Sequence, residues 1–455
     1  MNYYLAIDIG ASSGRHMVGW LEDGLLKTEE VYRFSNGTQS KRGHLVWDVA
    51  RLFAEVIAGL KAAKEKGYTP SYIGVDTWAV DYALLDKENR LIGEVYAYRD
   101  NRTEKITDRL HKIVSFNELY ARTGIQFQPF NTIYQLYADK IGGKAAKAES
   151  YLMLPDYLNF LLTGVKRQEY TNATSTGLVN AQTRSWDREV IAALGLDDKL
   201  FKEISQPGAT VGEIKKEIAA EIGYTATVML PATHDTASAV LAAPLDSESP
   251  YISSGTWSLL GIEQAYAHTD ECSLKANYSN EGSVNGGFRY QKNIMGLWMI
   301  QSVKCEIGGN LTFASLAEMA RCKESKITVD VNDRMFLSPK SMTAAIKKAA
   351  AANIGTASIM RVIYDSLAKS YAEALAELER NTGKRYETLN IIGGGSRDSL
   401  LNELTSEATG KRVITGPVEA TATGNLIMQM IGAGEIENLA AARKIIKKSF
   451  EVNEI

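Results

Sequence analysis

The chain has 455 residues, of which 45% are hydrophobic and 23% are charged. This length predicts two or three domains, and the composition is that of a folded globular protein rather than a disordered, collagenous or coiled-coil one. Lys and Arg total 51 against 54 Asp and Glu, giving a formal net charge of −3. A protein that binds nucleic acid normally has more Lys and Arg than Asp and Glu, so we expect no nucleic-acid partner.

Membrane, secreted and disulfide-rich classes are also disfavoured. No apolar run approaches the roughly 18 residues of a membrane span, and the N-terminal apolar stretch contains Asp8 and lacks a basic start. The three cysteines, Cys272, Cys305 and Cys322, are odd in number and widely spaced, which favours neither a disulfide framework nor a zinc site. The sequence therefore predicts a reduced, cytoplasmic, multidomain protein with no membrane partner.

The chain opens with an α/β pattern. Residues 3–9 predict a strand buried on both faces, and residues 15–34 predict a hairpin that turns at Asp23-Gly24. Residues 47–64 carry apolar side chains at helical spacing, and residues 71–75 predict another short buried strand. Strands mixed with a helix in this way indicate an α/β domain.

The middle of the chain mixes helical patterns with polar stretches. Residues 170–176, Tyr-Thr-Asn-Ala-Thr-Ser-Thr, predict a polar loop, and residues 237–242 predict a helix of small residues. Residues 244–250 are polar and bracketed by prolines, which is typical of a linker. We therefore place the domain division there, with residues 1–244 as the first domain and residues 245–455 as the second.

The second half opens like the first. Residues 251–261 predict a strand, a Gly/Ser turn and another strand, which echoes residues 6–19 and suggests an ancient duplication. Further on, residues 359–379 predict a long helix. Residues 388–392 predict a strand that three glycines join to a helix over residues 399–409.

Asp8 and the small residues after it form the first candidate site. Consecutive small residues let backbone N–H groups approach a phosphate, and an Asp at a strand end can hold Mg²⁺ through water. The alternative is a glycine-rich hairpin with a structural Asp. The turn is made of Gly10, Ala11, Ser12, Ser13 and Gly14, followed by Arg15.

Two further turns have phosphate-binding chemistry. Ser253, Ser254, Gly255 and Thr256 repeat the small, hydroxylated pattern in the second half, and residues 393–395 form a glycine turn between a strand and a helix. A dinucleotide fingerprint needs a last glycine where Asp398 stands, and no lysine after a glycine precedes Ser or Thr as a P-loop requires. We therefore expect neither a dinucleotide nor a P-loop site.

Thr233, His234, Asp235 and Thr236 form the candidate acid–base site. Asp235 can accept a proton from a substrate hydroxyl and His234 can donate a hydrogen bond, while the alternative for Asp235 is a helix N-cap. Asp76 and Asp81 lie on either side of Trp78. They could bind the hydroxyl groups of a polyol, or they could equally cap the ends of strands.

Taken together, these motifs resemble those of the FGGY carbohydrate kinases, members of the actin-like ATPase superfamily, over essentially the whole chain. The motifs that occur in the family's order are Asp8-Ile9-Gly10, His234-Asp235-Thr236, Ser254-Gly255-Thr256 and Gly393-Gly394-Gly395. Residues 11–15, 74–78, 97–103 and 291–298 are most similar to members that phosphorylate L-rhamnulose. The resemblance implies an α/β fold of two ribonuclease H-like domains that flank a catalytic cleft.

The resemblance also implies a role for each site residue. It implies that the ketose is held by Ala79, His234, Asp235, Thr236 and Asn293, with Asp235 as the catalytic base. It implies that ATP is contacted by Ala11, Ser12, Ser13, Gly14, Arg15, Thr256, Gln301, Gly394 and Gly395, and that Asp8 organises Mg²⁺ through water. Ala79 stands where the family members that use L-rhamnulose have glycine, which leaves the identity of the sugar open.

The implied reaction transfers the γ-phosphoryl group of ATP to the 1-hydroxyl of L-rhamnulose, in L-rhamnose catabolism, and a homodimer is the assembly we expect. The nearest alternative is another kinase of the family, acting on L-fuculose, a xylulose, a ribulose or glycerol. An actin-like ATPase that binds protein partners is disfavoured by the His-Asp-Thr motif, because such an ATPase needs no base for a sugar hydroxyl. A nicotinamide-dependent oxidoreductase is disfavoured by the broken fingerprint.

Overall fold

A computed structural model describes residues 1–245, 249–337, 339–450 and 452–455. The chain forms two compact units, neither of which is continuous in sequence. The first unit contains residues 1–242, 263–290 and 421–449, and the second contains residues 243–262, 291–420 and 450–455. Two compact α/β units agree with the predicted fold class, while the predicted division at residue 244 stays a prediction.

Both units contain strands and helices within the described residues. The strands are β1 (Tyr4–Ile9), β2 (Ser13–Glu22), β3 (Leu25–Ser35), β4 (Gln39–Lys41), β5 (His44–Trp47), β6 (Tyr72–Thr77), β7 (Tyr82–Leu85), β8 (Val95–Tyr96), β9 (Ser150–Met153), β10 (Gln168–Glu169), β11 (Ile204–Ser205), β12 (Thr210–Glu213), β13 (Thr227–Met229), β14 (Tyr251–Ser254), β15 (Trp257–Gln264), β16 (Ser279–Gly282), β17 (Phe288–Met295), β18 (Thr388–Ile392), β19 (Arg412–Thr415) and β20 (Asn453–Glu454). The helices are α1 (Val49–Glu65), α2 (Ile106–His111), α3 (Phe116–Thr123), α4 (Thr132–Ile141), α5 (Leu154–Thr163), α6 (Tyr170–Ser175), α7 (Arg188–Ala193), α8 (Lys216–Ile222), α9 (Asp235–Leu241), α10 (Glu271–Lys275), α11 (Trp298–Ile307), α12 (Phe313–Arg321), α13 (Met342–Ala349), α14 (Thr356–Thr382), α15 (Ser399–Thr409), α16 (Ala420–Gly432) and α17 (Leu439–Ser449). Among the described helices, none is long and apolar enough to cross a membrane.

The first unit is built on a six-stranded sheet in the order β12-β13-β6-β1-β2-β3. β1 pairs antiparallel with β2 and parallel with β6, and β6 pairs parallel with β13. All six residues of β1 are buried, which confirms the predicted buried strand, and the turn at Asp23-Gly24 joins β2 to β3 as predicted. Because β13, β6 and β1 are parallel neighbours, their carboxyl ends lie at one edge of the sheet.

Helix α1 confirms the predicted amphipathic helix. Its N-cap Asp48 accepts a hydrogen bond from the backbone N–H of Arg51, which satisfies one of the unpaired donors of the first turn. The apolar residues at helical spacing are buried against the sheet; they are Val49, Leu52, Val56, Ile57 and Leu60. Hydrophobic burial on this one face therefore fixes the helix on the core.

Helix α16 packs on the same sheet through polar contacts. Asn425 Nδ2 donates to the carbonyl of Gly74 at 3.1 Å, and Gln429 Nε2 donates to the carbonyl of Leu5 at 3.0 Å. A Cβ atom at Gly74 would lie 2.5 Å from Asn425 Oδ1, so the strand needs glycine there for the helix to approach. Amide side chains from a distant part of the sequence thus reach the strands that carry the candidate carboxylates.

The second unit repeats the arrangement at the heart of the first. Its strands lie in the order β17-β15-β14-β18-β19-β20. β14 pairs antiparallel with β15 and parallel with β18, as β1 pairs with β2 and β6. The predicted second opening and the predicted strand 388–392 are confirmed, and the predicted duplication is consistent with this topology but stays a prediction.

Two sequence-based expectations for the middle of the chain need comment. The prediction of a polar loop over residues 170–176 is wrong, because residues 170–175 form the helix α6 and all of them are buried. Their hydroxyl and amide groups hydrogen-bond inside the protein, so polarity here does not indicate exposure to solvent. Of the predicted linker at residues 244–250, residues 246–248 lie outside the described residues.

His16 gives the first testable prediction, because it is a wholly buried titratable group on β2. Burial lowers the pKa of His16 to about 3, whereas the unfolded chain takes up a proton near pH 6.5. Below pH 6.5 the unfolded state binds more protons, so the free energy of unfolding should fall by up to about 1.4 kcal/mol per pH unit from this group. Denaturant unfolding at pH 7.5, 6.5, 5.5 and 5.0 should show this loss in the wild type and a smaller one in His16→Leu. Parallel pH dependences in the two proteins would contradict the prediction.

The glycine turn of the second unit gives a second prediction. A Cβ atom at Gly395 would lie 2.0 Å from Ser254 Oγ, whereas one at Gly394 meets no heavy atom of the described residues within 4 Å. Overpacking of this kind costs about 1–3 kcal/mol, so Gly395→Ala should lower the unfolding free energy by that amount. Gly394→Ala is the matched control, and we expect a clearly smaller change. Equal losses in the two variants, measured by chemical unfolding, would show that the contact with Ser254 is not limiting.

Candidate active site

Three segments meet at the carboxyl edge of the first sheet. Asp8 and Asp76 occupy paired register positions on the parallel strands β1 and β6. Thr77 forms a parallel bridge with His234, and its backbone N–H donates to the carbonyl of Thr233 at 2.9 Å. Parallel neighbours with the same register present their side chains on the same face. The fold thus brings Asp8, Asp76 and the His234-Asp235-Thr236 segment together.

The two strand-borne carboxyl groups are poorly solvated. Burial raises the pKa of Asp8 to about 6, although Arg15, whose Nε lies 3.3 Å from Asp8 Oδ2, lowers it. Burial and the charge of Asp8 hold the pKa of Asp76 well above its usual range. Asp76 Oδ2 accepts a hydrogen bond from Asn425 Nδ2 at 2.5 Å, while Oδ1 has no partner among the described residues. Two buried carboxyls side by side favour a shared proton or a nearby cation.

These residues fit a hydrated magnesium ion better than a dehydrated one. Among the described residues, no group of three or more His, Cys, Asp or Glu side chains is arranged to hold a metal directly. Mg²⁺ keeps several of its waters and needs only one or two carboxylates. The unpartnered Oδ1 of Asp76 beside Asp8 is the donor set expected for such outer contacts.

The turn after β1 is a tight hairpin held by its own backbone. Gly10 N–H donates to the carbonyl of Ser13 at 2.9 Å, and Asn36 Nδ2 donates to the carbonyl of Gly10 at 2.8 Å. Ala11 is partly buried and Ser12 is exposed at the tip. A Cβ atom at Gly14 would lie 2.2 Å from the ring of Phe34, so this glycine is required by packing as well as suited to a phosphate loop.

The segment after β6 is rigid and strained. Val80 has a φ of +69°, which a β-branched residue rarely adopts and which is typical of functional sites. Asp81 is wholly buried and accepts hydrogen bonds from the indoles of Trp47 at 2.7 Å and Trp78 at 2.9 Å. Burial raises the pKa of Asp81 to about 6, while hydrogen bonds from Gln135 and the indoles lower it. Asp81 therefore anchors this segment, and Ala79 is its partly exposed member.

Asp235 is the first residue of α9, and His234 rather than Asp235 is the N-cap. Asp235 Oδ1 accepts from the backbone N–H of Thr236 at 2.6 Å and from Thr236 Oγ1 at 3.1 Å. His234 Nε2 lies 3.5 Å from the same oxygen, and the Asp235 side chain is 30% exposed. Of the three carboxyls at this edge of the sheet, Asp8, Asp76 and Asp235, Asp235 alone is substantially accessible, as a general base must be.

Glu169, which sequence reasoning missed, holds the backbone that leads to Asp235. This buried N-cap of α6 accepts hydrogen bonds at Oε2 from Thr233 Oγ1 at 2.5 Å and from Thr171 Oγ1 at 2.7 Å. Thr171 Oγ1 in turn accepts from the backbone N–H of His234 at 3.2 Å. The signal in the sequence was the polar run after Glu169, which reads as a solvated loop until its partners are known.

The second unit brings together the predicted residues of its own turns. The carbonyl of Gly255 accepts from Leu297 N–H at 2.9 Å, and Thr256 Oγ1 lies 3.5 Å from Gln301 Oε1 on the first turn of α11. Gly394 and Gly395 follow β18, the parallel neighbour of β14. Thr256 and the glycine turn therefore follow neighbouring strands, and Gln301 on α11 lies beside Thr256. Asn293 lies partly buried on β17.

The predicted site residues fall into two groups, one in each compact unit. The first unit holds Asp8, Ala11, Ser12, Ser13, Gly14, Arg15, Ala79, His234, Asp235 and Thr236, and the second holds Thr256, Asn293, Gln301, Gly394 and Gly395. The binding roles of these residues stay predictions. The predicted sharing of one ketose by Asn293 and the residues of the first unit stays a prediction.

Two family models match successive parts of the chain. The N-terminal domain of the FGGY family of carbohydrate kinases matches residues 3–242, and the C-terminal domain of that family matches residues 250–433. Together they span nearly the whole chain, with the strand-end carboxyls in the first match and the Gly/Ser turns in the second.

Full-length relatives and solved structures agree with the family models. Proteins named rhamnulokinase from Halalkalibacterium halodurans and Bacillus subtilis are 46% and 42% identical to this chain; each alignment covers 99% of this chain, and 98% and 94% of the relatives. The ligand-bound xylulose kinase of Lactobacillus acidophilus superposes with a TM-score of 0.82 at 17% identity, over 99% of this chain and 93% of that one. Plasmodium falciparum glycerol kinase with ADP superposes with a TM-score of 0.77 at 17% identity, over 99% of this chain and 94% of that one.

The structural matches show a common fold, and the sequence matches go further. One family model matches more than half of the chain, and the full-length relatives are more than 40% identical to it, so the family is established. The chain belongs to the FGGY family of carbohydrate kinases.

Proposed function

We propose that this carbohydrate kinase transfers the γ-phosphoryl group of ATP to the 1-hydroxyl of L-rhamnulose, as a step in L-rhamnose breakdown. The proposal of the sugar is supported by the 42–46% identity to proteins named rhamnulokinase over nearly their full lengths. The proposal of the base is supported by one feature of the first unit, the accessibility of Asp235 beside two buried carboxyls.

Asp235 takes the role of general base. The hydroxyl oxygen of the sugar forms the new bond to the γ-phosphorus, the bond from that phosphorus to the β,γ-bridging oxygen breaks, and the hydroxyl proton passes to the Asp235 carboxylate. Asp8 and Asp76 are less suited to this, because burial keeps their carboxyl groups away from solvent. Phosphoryl transfer depends mainly on positioning and charge neutralisation, so one accessible base is sufficient.

The ATP phosphates are assigned to the small-residue turns, namely Ala11, Ser12, Ser13, Gly14 and Arg15 in the first unit and Thr256 in the second. Gln301, Gly394 and Gly395 are assigned to the rest of the nucleotide. Asp8 is the residue that holds Mg²⁺ through water, with Asp76 Oδ1 as a second acceptor for that water shell. When bound, the ion neutralises charge on the phosphates.

Ala79, His234, Thr236 and Asn293 are assigned to the ketose. Residues 1–244 then supply most of the sugar site and the base, and residues 245–455 supply most of the nucleotide site. The cytoplasmic location and the homodimer stay predictions.

Replacement of the base gives the third prediction. Asp235→Asn keeps the size of the side chain and its Oδ1 acceptor but removes the basic charge, so kcat should fall about 10²–10⁴-fold. ATP binding, measured by calorimetry, should change little, because Asp235 is not among the residues assigned to the nucleotide. Asp198→Asn is the control, since Asp198 is an exposed carboxylate of the same unit. Turnover of Asp235→Asn close to that of the control would mean that another group takes the proton.

The sugar specificity gives the fourth prediction. ADP release from ATP with Mg²⁺ should be much faster with L-rhamnulose than with L-fuculose, L-xylulose, D-ribulose or glycerol. The same preference should persist in Ala79→Gly, because a backbone contact at this position does not need the methyl group. A different preferred ketose would preserve the mechanism and overturn the substrate. No sugar-dependent ADP release with any of these compounds, together with intact ATP binding, would favour a partner-binding ATPase.

A further inference from the structure

A buried ion pair lies behind His234 in the first unit. Arg289 on β17 is wholly buried, and its Nη2 lies 3.1 Å from His234 Nδ1 and 3.2 Å from Glu281 Oε2. Its Nε donates to the carbonyl of Gly282 at 3.0 Å. Glu281 Oε2 lies 3.3 Å from His234 Nδ1. Arg289 Nη2, Glu281 Oε2 and His234 Nδ1 therefore form the three corners of a closed triangle of contacts.

His234 Nδ1 has a donor, Arg289 Nη2, at 3.1 Å and an acceptor, Glu281 Oε2, at 3.3 Å. Arg289 Nη2 has two hydrogens, one for His234 Nδ1 and one for Glu281 Oε2. In that arrangement Nδ1 is an acceptor and the ring proton sits on Nε2, the nitrogen that lies 3.5 Å from Asp235 Oδ1. The opposite tautomer would place two lone pairs, those of Nε2 and Oδ1, against each other with no hydrogen between them. The triangle therefore favours the Nε2–H tautomer.

The ion pair is costly for the fold. Arginine is almost never fully buried unless it is paired, and Arg289 is wholly buried. Burial raises the pKa of Glu281, but the charge of Arg289 and a hydrogen bond from Ser279 help to hold the pKa of this carboxyl below its usual range. Glu281 thus stays ionised and pairs with the guanidinium. A buried ion pair adds little net stability, so a positional role is the better account of it.

The tautomer matters because of the atoms that surround the Asp235 carboxylate. Oδ1 accepts two hydrogen bonds from Thr236 and faces His234 Nε2. Oδ2 has no hydrogen-bond partner within the described part of the chain. The 3.5 Å separation is long for a hydrogen bond, and such contacts commonly shorten when substrate binds. An Nε2–H group facing Oδ1 fixes the carboxylate with Oδ2 available.

We propose that Arg289 and Glu281 are positioning residues that set the Nε2–H tautomer of His234, so that Asp235 is held through Oδ1 and accepts the sugar proton at Oδ2. This assignment rests on Asp235 being the base, as proposed above. Neither Arg289 nor Glu281 needs to touch the sugar or the nucleotide; both act through His234.

The tautomer can be read directly by ¹⁵N NMR of histidine-labelled protein, because the chain has only five histidines. A spectrum of His234→Gln identifies the His234 signals by their loss. At pH 8 the wild type should show His234 with its proton on Nε2 and an acceptor-type Nδ1. A wild-type spectrum with the proton on Nδ1 would overturn the proposal, and this measurement requires no variant of Arg289 to fold.

Variants of Arg289 then connect the tautomer to turnover. In Arg289→Met the unpaired Glu281 should draw the ring proton to Nδ1, and kcat should fall about 10²-fold, as small misplacements of catalytic groups do. The KM for ATP should stay within about twofold, since the altered group acts on the base alone. Arg289→Lys, which keeps a donor and a charge, should retain the Nε2–H tautomer and recover most of the lost kcat.

Arg443→Met is the matched control, because Arg443 is also a largely buried guanidinium of the first unit, paired with Glu263. It should change neither the tautomer nor kcat. An unchanged tautomer in Arg289→Met, or a kcat equal to that of the control, would overturn the proposal. The NMR readout does not depend on turnover, so failure of the tautomer assignment and failure of Asp235 as the base are separately visible.

Discussion

The parallel pairing of β13, β6 and β1 is the constraint on which the first unit's chemistry depends. It places the ends of three strands side by side, and the segment after β13 continues beside β6 through the bridge between Thr77 and His234. Residues 8, 76 and 235, far apart in sequence, therefore share one edge of a sheet. The same pairing buries two of the three carboxyls and leaves the third accessible. Differences in solvation, rather than in residue type, thereby separate the base from the carboxyls suited to a hydrated cation.

The rest of the first unit keeps that edge in register. Asn425 and Gln429 of helix α16 hydrogen-bond to backbone carbonyls of β6 and β1. Asp81 accepts hydrogen bonds from two indoles and so holds the segment after β6. Glu169 accepts a hydrogen bond from Thr233. Each of these is a buried polar group with several partners, and such groups define one arrangement of the surrounding atoms. A site that depends on positioning needs this rigidity more than it needs reactive side chains.

Much of this could be predicted from the sequence. Periodicity gave β1, the β2–β3 hairpin, α1, the long helix α14 and the glycine turn after β18, because each is local and strongly patterned. The carboxyl groups and small-residue turns could be singled out because their chemistry is visible in a short motif. The helix α6 was mistaken for a loop, since its polar residues find partners such as Glu169 and Gly282 that only the fold supplies.

The contacts that complete the site were out of reach of sequence reasoning for the same physical reason. Asn425 lies 349 residues from Asp76, and Arg289 lies 55 residues from His234. No local pattern reports pairings at such separations. The one available signal was a charged Arg289 between the aromatic residues Phe288 and Tyr290, because an arginine among apolar residues of a strand is rarely buried unless it has a partner.

The most direct test of the account is the product formed from ATP and L-rhamnulose. A ³¹P–¹H correlation spectrum of the reaction mixture should show one phosphomonoester coupled to the C1 protons of the sugar, formed in equal amount with ADP. Inorganic phosphate in place of the sugar ester, or an ester at another carbon, would contradict the proposed transfer to the 1-hydroxyl.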